Sequence, residues 1–190
     1  MGSSPAEGKD FFMGNNIVLI GFMATGKTAV GKALAKELKF KYISTDDLVE
    51  KTAKMKIPKI FKKYGEEYFR SLETKVLLSL KNVKSSVISC GGGAVLKPKN
   101  RMVIKKLGAV FLLKASAASI NSRLGALKNR PLLNIADDKK RLTEIRRVLK
   151  IRTPLYQKAA DHVIDTGSMT LAKVVLTVIS KIENTLHNSK

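Results

Sequence analysis

Acidic residues are scarce in this chain: 15 Asp and Glu stand against 36 Lys and Arg among 190 residues, a formal net charge of +21 at pH 7. Such a surplus suits nucleic acid, an anionic membrane face or an anionic small substrate. A second shortage weighs against the first. Tryptophan is absent and aromatics make up 6%, whereas a base-stacking surface interleaves rings with its basic residues. The lysines are scattered along helical stretches such as KALAKELKFK, the pattern of a solvated basic surface, so nucleic acid is not an expected partner. No apolar run approaches the ~20 residues of a membrane-spanning helix. The opening MGSSPAEGKDFFMGNN has no basic stretch followed by an apolar one, as a signal peptide would. A single cysteine, Cys90, excludes an internal disulfide framework and suits a reducing compartment. A cytoplasmic monomer without a membrane partner is expected.

What is present is a regular alternation. Apolar runs at 17–20 (IVLI), 41–44 (KYIS), 86–90 (SVISC), 109–113 (AVFLL) and 162–165 (HVID) read as short strands. Between them lie helical patterns at 27–38, 46–81, 97–106, 116–125, 138–159 and 170–186, with Pro58 starting a fresh helix and Gly65 breaking one. Continuous rather than alternating apolar runs are the mark of strands buried on both faces. The expectation is an α/β fold, a three-layer α/β/α sandwich on a mostly five-stranded parallel sheet. Residues 1–14 read as a disordered leader and 15–190 as one domain, with no repeat or low-complexity linker.

The sharpest signal is Gly21-Phe22-Met23-Ala24-Thr25-Gly26-Lys27-Thr28, which satisfies G-x-x-x-x-G-K-[ST] after a strand and before a helix. Glycines let the backbone turn its N–H groups onto phosphate oxygens, and the helix N-terminus adds partial positive charge. Gly21, Ala24, Thr25, Gly26, Lys27 and Thr28, with Ala29 in the first helical turn, form the expected ATP or GTP site. Lys27 reaches the β- and γ-phosphates, and the Thr28 hydroxyl is suited to Mg²⁺.

Four further segments bear on the acceptor: STDDLVE (44–50), GEEYFRSLE (65–73), CGGGAV (90–95) and the pair RPLL (130–133) with RTPLY (152–156). With the phosphate loop, and in this order, they resemble the shikimate kinase family over roughly Ile17 to Asp165. The resemblance implies a nucleoside-monophosphate-kinase-like fold and transfer of phosphate from ATP, with Mg²⁺, to shikimate. It assigns Asp46 to the acceptor's hydroxyls, where a carboxylate at a strand's C-terminal end can take the proton of an attacking hydroxyl. Capping of the next helix is the competing role for Asp46. It makes Arg70 and Arg152 the carboxylate binders, a task for which a guanidinium fork suits better than an ammonium, with Glu73 orienting Arg70. Gly91, Gly92 and Gly93 are implied to let the main chain approach the acceptor. Arg130 falls in an implied lid at about 123–138, closing on the transferring phosphoryl group, and Arg123 is implied to lie against adenine.

Two positions depart from the family's pattern. Ala24 stands in place of a usual glycine, which narrows backbone freedom. Ser44 stands in place of an Asp that helps hold Mg²⁺ through water, so a weaker metal site is expected. Cys90 reads as a small core residue, and His162 as a strand-end residue. Two other readings stay open: a related small-molecule kinase, or an ATP-binding relative without turnover in a regulatory or nucleic-acid-binding role.

Overall fold

The computed structural model describes residues 15–125, 135 and 137–187. Twelve elements follow in order: β1 (Ile17–Ile20), α1 (Lys27–Leu38), β2 (Lys41–Ser44), α2 (Thr45–Ala53), α3 (Ile57–Ser79), β3 (Ser86–Ser89), α4 (Pro98–Leu107), β4 (Ala109–Lys114), α5 (Ala117–Gly125), α6 (Asp138–Ala159), β5 (His162–Asp165) and α7 (Leu171–His187). The five strands form one sheet in the order β2-β3-β1-β4-β5 with every pair parallel, so the expected architecture holds. From β1 the chain passes over the place of β3 to reach β2, then returns. It next crosses β1 to lay down β4. A reversal of this kind leaves a crevice at the C-terminal ends of the central strands, where open parallel sheets take ligands.

Alternate strand residues point to opposite faces. Val18, Ile20, Ile88, Val110 and Leu112 join Leu77, Ile104, Ile120, Ile145 and Tyr156 in one core layer. Ile17, Leu19, Val87, Phe111, Leu113 and Ile164 pack on the other face against Val30 and Leu34 of α1 and Val174 and Val178 of α7. A third, smaller cluster lies off the sheet, where Val49 of α2 meets Ile60, Phe69, Leu72 and Val76 of α3.

The helical pattern expected over 46–81 divides at a left-handed Lys54 (φ 49°), and Pro58 restarts it in the first turn of α3. Gly65, at φ 78° and ψ 177°, breaks the helical backbone as expected, and α3 is two helical stretches joined across that kink. His162 lies at the start of β5 with its ring 4.7 Å from that of Phe111. Among the described residues no helix is long and apolar enough to cross a membrane.

At the N-terminal end of the central strands, opposite the crevice, buried Asn16 ties three segments together. Its amide donates to Val83 O (2.7 Å) and Leu107 O (2.8 Å), and its side-chain oxygen accepts from Ser86 N (3.1 Å). Removing it orphans buried main-chain groups, each costly to leave unpaired. Asn16→Ala is expected to lower unfolding free energy by about 3 kcal/mol, read by urea denaturation, while ligand affinities of the folded protein stay put.

Candidate active site

The loop after β1 is built for an anion. Gly26 caps α1 at φ 93° without a side-chain cap, and the first turn of α1 contains no acidic residue, so nothing in that turn offsets the helix dipole. Ala24 sits at φ 60°, the left-handed backbone that a β-carbon disfavours by about 1–2 kcal/mol. The sequence departure from glycine therefore falls where glycine would relieve strain. The buried Thr25 hydroxyl donates to Phe22 O (2.8 Å) and holds the turn. Lys27 Nζ donates to Gly21 O (2.8 Å) and Phe22 O (2.7 Å), lying across the loop it serves. Gly21 and Thr25 are buried behind the loop surface, whereas Thr28 and Ala29 are exposed on it.

Ala24, Gly26, Lys27, Thr28 and Ala29 form one end of a cavity of about 860 Å³; Ser44, Asp46, Arg70, Gly91, Gly92, Gly93, Arg123 and Arg152 complete much of its wall. The expected nucleotide and acceptor residues thus meet in one space. Arg130 lies outside the described residues, as does most of the lid segment.

At the acceptor end the glycines have a role that the sequence pattern does not disclose. A β-carbon at Gly93 would stand 2.5 Å from Arg70 Cζ, and one at Gly91 would stand 3.1 Å from Glu73 Oε1 and closer still to Asp46 Oδ1. These two positions are bare because side chains from α2 and α3 lie on them. Gly92 differs: a β-carbon there would be 3.4 Å from Met23 N, an ordinary contact. Its carbonyl accepts from the Tyr156 hydroxyl and, at 3.4 Å, from Arg152 Nη1. Burial pushes the Tyr156 phenol up to about 12, so it remains a donor at neutral pH. Gly91 N donates to the buried Thr45 hydroxyl (2.9 Å).

Arg70 is buried and forked between two carboxylates. Nη1 donates to Glu73 Oε2 at 3.0 Å, while Nε and Nη2 donate to Glu66 Oε1 at 3.2 and 3.0 Å. Glu73 is 1% exposed, and its Oε1 has no hydrogen-bond partner among the described residues. Burial pushes its carboxyl up and outweighs the opposing pull of Arg70. Arg152, from α6, lies 5.9 Å from the Phe22 ring.

Arg123 donates to Ala24 O (3.2 Å) and to Thr166 O (2.7 Å) and Oγ1 (3.4 Å), while the Thr166 hydroxyl donates to Thr25 O (3.0 Å). It therefore links the phosphate loop to the segment after β5. Ser44 is the N-cap of α2, accepting from Asp47 N at 3.2 Å. Capping thus falls to Ser44, and Asp46 in the first turn turns its carboxylate to the cavity wall. Asp47 borders a separate hollow with Lys51 and Lys54. Cys90 is buried at 1% exposure, and burial pushes its thiol up, as suits a core residue.

Thr45, Tyr156 and Thr166 support the site although sequence reasoning gave them no role. Thr45 and Tyr156 fall inside quoted motifs, the only available signal; Thr166 falls in none. Gly93→Ala is expected to drive the Arg70 guanidinium off its seat, costing about 2 kcal/mol. Gly92→Ala should cost clearly less. Paired urea denaturation curves check the contrast.

A family profile described as shikimate kinase matches residues 23–183. A shikimate kinase of Caldanaerobacter subterraneus subsp. tengcongensis is 46% identical over 164 residues, covering 86% of this chain and 94% of the relative. One from Thermodesulfovibrio yellowstonii is 43% identical, covering 92% and 98%. The solved shikimate kinase from Acinetobacter baumannii in complex with shikimate superposes with a TM-score of 0.85 at 35% identity, over 94% of this chain and 98% of that one. Fold, residue pattern and extent of match agree: the chain belongs to the shikimate kinase family.

Proposed function

We propose that this chain transfers the γ-phosphoryl group of ATP to the 3-hydroxyl of shikimate, giving shikimate 3-phosphate and ADP. The observation that carries this is the single cavity, with a phosphate loop at one end and Asp46, Arg70 and Arg152 at the other. A nucleotide's terminal phosphate and a hydroxylated acid can lie in one enclosure, oriented for reaction.

In this reading Arg70 and Arg152 hold the acceptor's carboxylate by charge-assisted hydrogen bonds. That anchorage orients the ring so that one hydroxyl faces Asp46. Asp46 takes the hydroxyl proton as the oxygen bonds to the γ-phosphorus, and the β–γ bridging oxygen leaves with its electron pair on ADP. Lys27, and Arg130 from the lid, offset charge on the phosphoryl oxygens. Arg123 serves the nucleotide's base. The N–H groups of Gly92 and Gly93 donate to no acceptor among the described residues, which leaves them for a bound hydroxyl.

The residues present fit Mg²⁺ on the chemistry of their donors. The Thr28 hydroxyl is exposed on the cavity wall and Ser44 lines the same wall. Among the described residues no group of three or more His, Cys, Asp or Glu side chains could hold a metal, which suits an ion that keeps several waters and is held largely by nucleotide phosphates. Thr28 would hold the ion directly and Ser44 through water. When bound, it neutralises charge on the β- and γ-phosphates.

The test of the reading is ADP release measured with shikimate, gluconate and nucleoside monophosphates in parallel. Turnover with shikimate alone supports it, and turnover with another acceptor in its place refutes it. Arg70→Lys is expected to raise the KM for shikimate about tenfold or more, the scale of losing hydrogen bonds to a charged group, with the KM for ATP within about twofold. Ser44→Asp supplies a carboxylate where a neutral hydroxyl stands, and a hard cation prefers the charge. The Mg²⁺ concentration giving half-maximal rate should fall severalfold, and no shift would place Ser44 away from the metal.

A further inference from the structure

Arg70 is more heavily paired than a substrate-binding arginine needs to be. Glu73 already supplies a buried carboxylate at 3.0 Å, and Glu66 supplies a second, one oxygen bridging Nε and Nη2. A single oxygen spanning that edge of the fork occupies donors that a ligand carboxylate would use. Asp46, Glu73, Arg70 and Arg152 line the same cavity, and Glu66 pairs with Arg70 beside it. An acceptor carboxylate arriving on Arg70 adds a negative charge next to carboxylates already there, and one resident must give way.

The three residents differ in how easily they can do so. Glu73 has 2% side-chain exposure, so leaving Arg70 would strand a buried charge. Asp46 is seated at the cavity wall against Gly91. Glu66 has 57% side-chain exposure and stands directly after the Gly65 kink, so it can turn into water at small cost.

We propose that Glu66 is a built-in competitor of the acceptor's carboxylate for Arg70, and that it sets acceptor affinity below what the two guanidiniums would otherwise give. In the absence of acceptor it keeps a buried guanidinium paired on its solvent side. On binding, one carboxylate exchanges for another on the same fork. The inference rests on the assignment of Arg70 to the acceptor's carboxylate made above.

The decisive comparison is calorimetric binding of shikimate to wild type, Glu66→Gln and Glu67→Gln. Glu67 is exposed and has no ion-pair partner among the described residues, so its variant removes the same formal charge without touching Arg70. Glu66→Gln is expected to lower the Kd for shikimate about threefold, the scale set by a half-exposed ion pair. Glu67→Gln should change it much less. The gain should shrink as salt rises from 50 to 500 mM, because the competition is electrostatic and partly exposed. A structural disturbance would weaken binding and could not mimic this gain. Weaker or unchanged binding in Glu66→Gln relative to Glu67→Gln would overturn the inference while leaving the kinase reading intact. Failure of wild type to bind shikimate would instead defeat the kinase reading, and this inference with it.

Discussion

The acceptor end of the site depends on one buried contact, the Arg70 guanidinium lying on bare Gly93 and paired to Glu73. An arginine and a glutamate seldom leave water without each other, and removing one partner of such a pair costs about 3–5 kcal/mol. Several features follow from seating this pair at the mouth of β3. The strand must end in residues without side chains, because Arg70 and Asp46 occupy the space that β-carbons would fill. The freed backbone then needs fixing from other directions. Thr45 accepts from Gly91 N, and Tyr156 with Arg152 donates to Gly92 O. The Arg70 guanidinium is therefore held in place before any ligand arrives, and a preorganised group lowers the entropy cost of binding.

The nucleotide end rests on different physics. Its positive character comes from main-chain N–H groups and the dipole of α1, supplemented by Lys27. Ala24 bears backbone strain in this loop, and the Thr25–Thr166–Arg123 connections hold the strained turn against the segment after β5. A β-carbon at Gly92 would stand 3.4 Å from Met23 N, so the two ends lie close together along the backbone. Distances between the phosphate loop and the acceptor residues are set by the central strands β1 and β3, which pair directly.

Much of the architecture was legible because local rules and tertiary packing agree. Short runs without charge are strands that the sheet buries on both faces, and IVLI and SVIS are buried throughout. Helices 27–38 and 138–159 coincide with their expected bounds because Gly26 and Asp137 mark their starts. The block at 46–81 was less legible, since lysine-rich helix patterns continue smoothly across the left-handed Lys54. Residue types at the site were visible through motifs, yet the motifs are silent on side-chain partners. The clearance that Gly91 and Gly93 give to Asp46 and Arg70 depends on residues more than a strand and helix away. So do the contacts of Tyr156 with Gly92 and of Thr166 with Thr25, separated by 64 and 141 residues. Ser44 illustrates the same limit: its replacement of a family carboxylate could be read from the chain, but its capping of α2 through Asp47 N is a fact of geometry.

The positive charge of the chain does not explain the site. The groups given roles there are four arginines, one lysine and the carboxylates of Asp46, Glu66 and Glu73, and most of the remaining lysines are spread over exposed helix faces. The most direct test of the central claim is a crystal structure of the protein with ADP and shikimate. The account predicts the acid's carboxylate on Arg70 and Arg152 and a ring hydroxyl against Asp46, facing the nucleotide's phosphates. A carboxylate seated away from both guanidiniums, or a ring without a hydroxyl at Asp46, would contradict it.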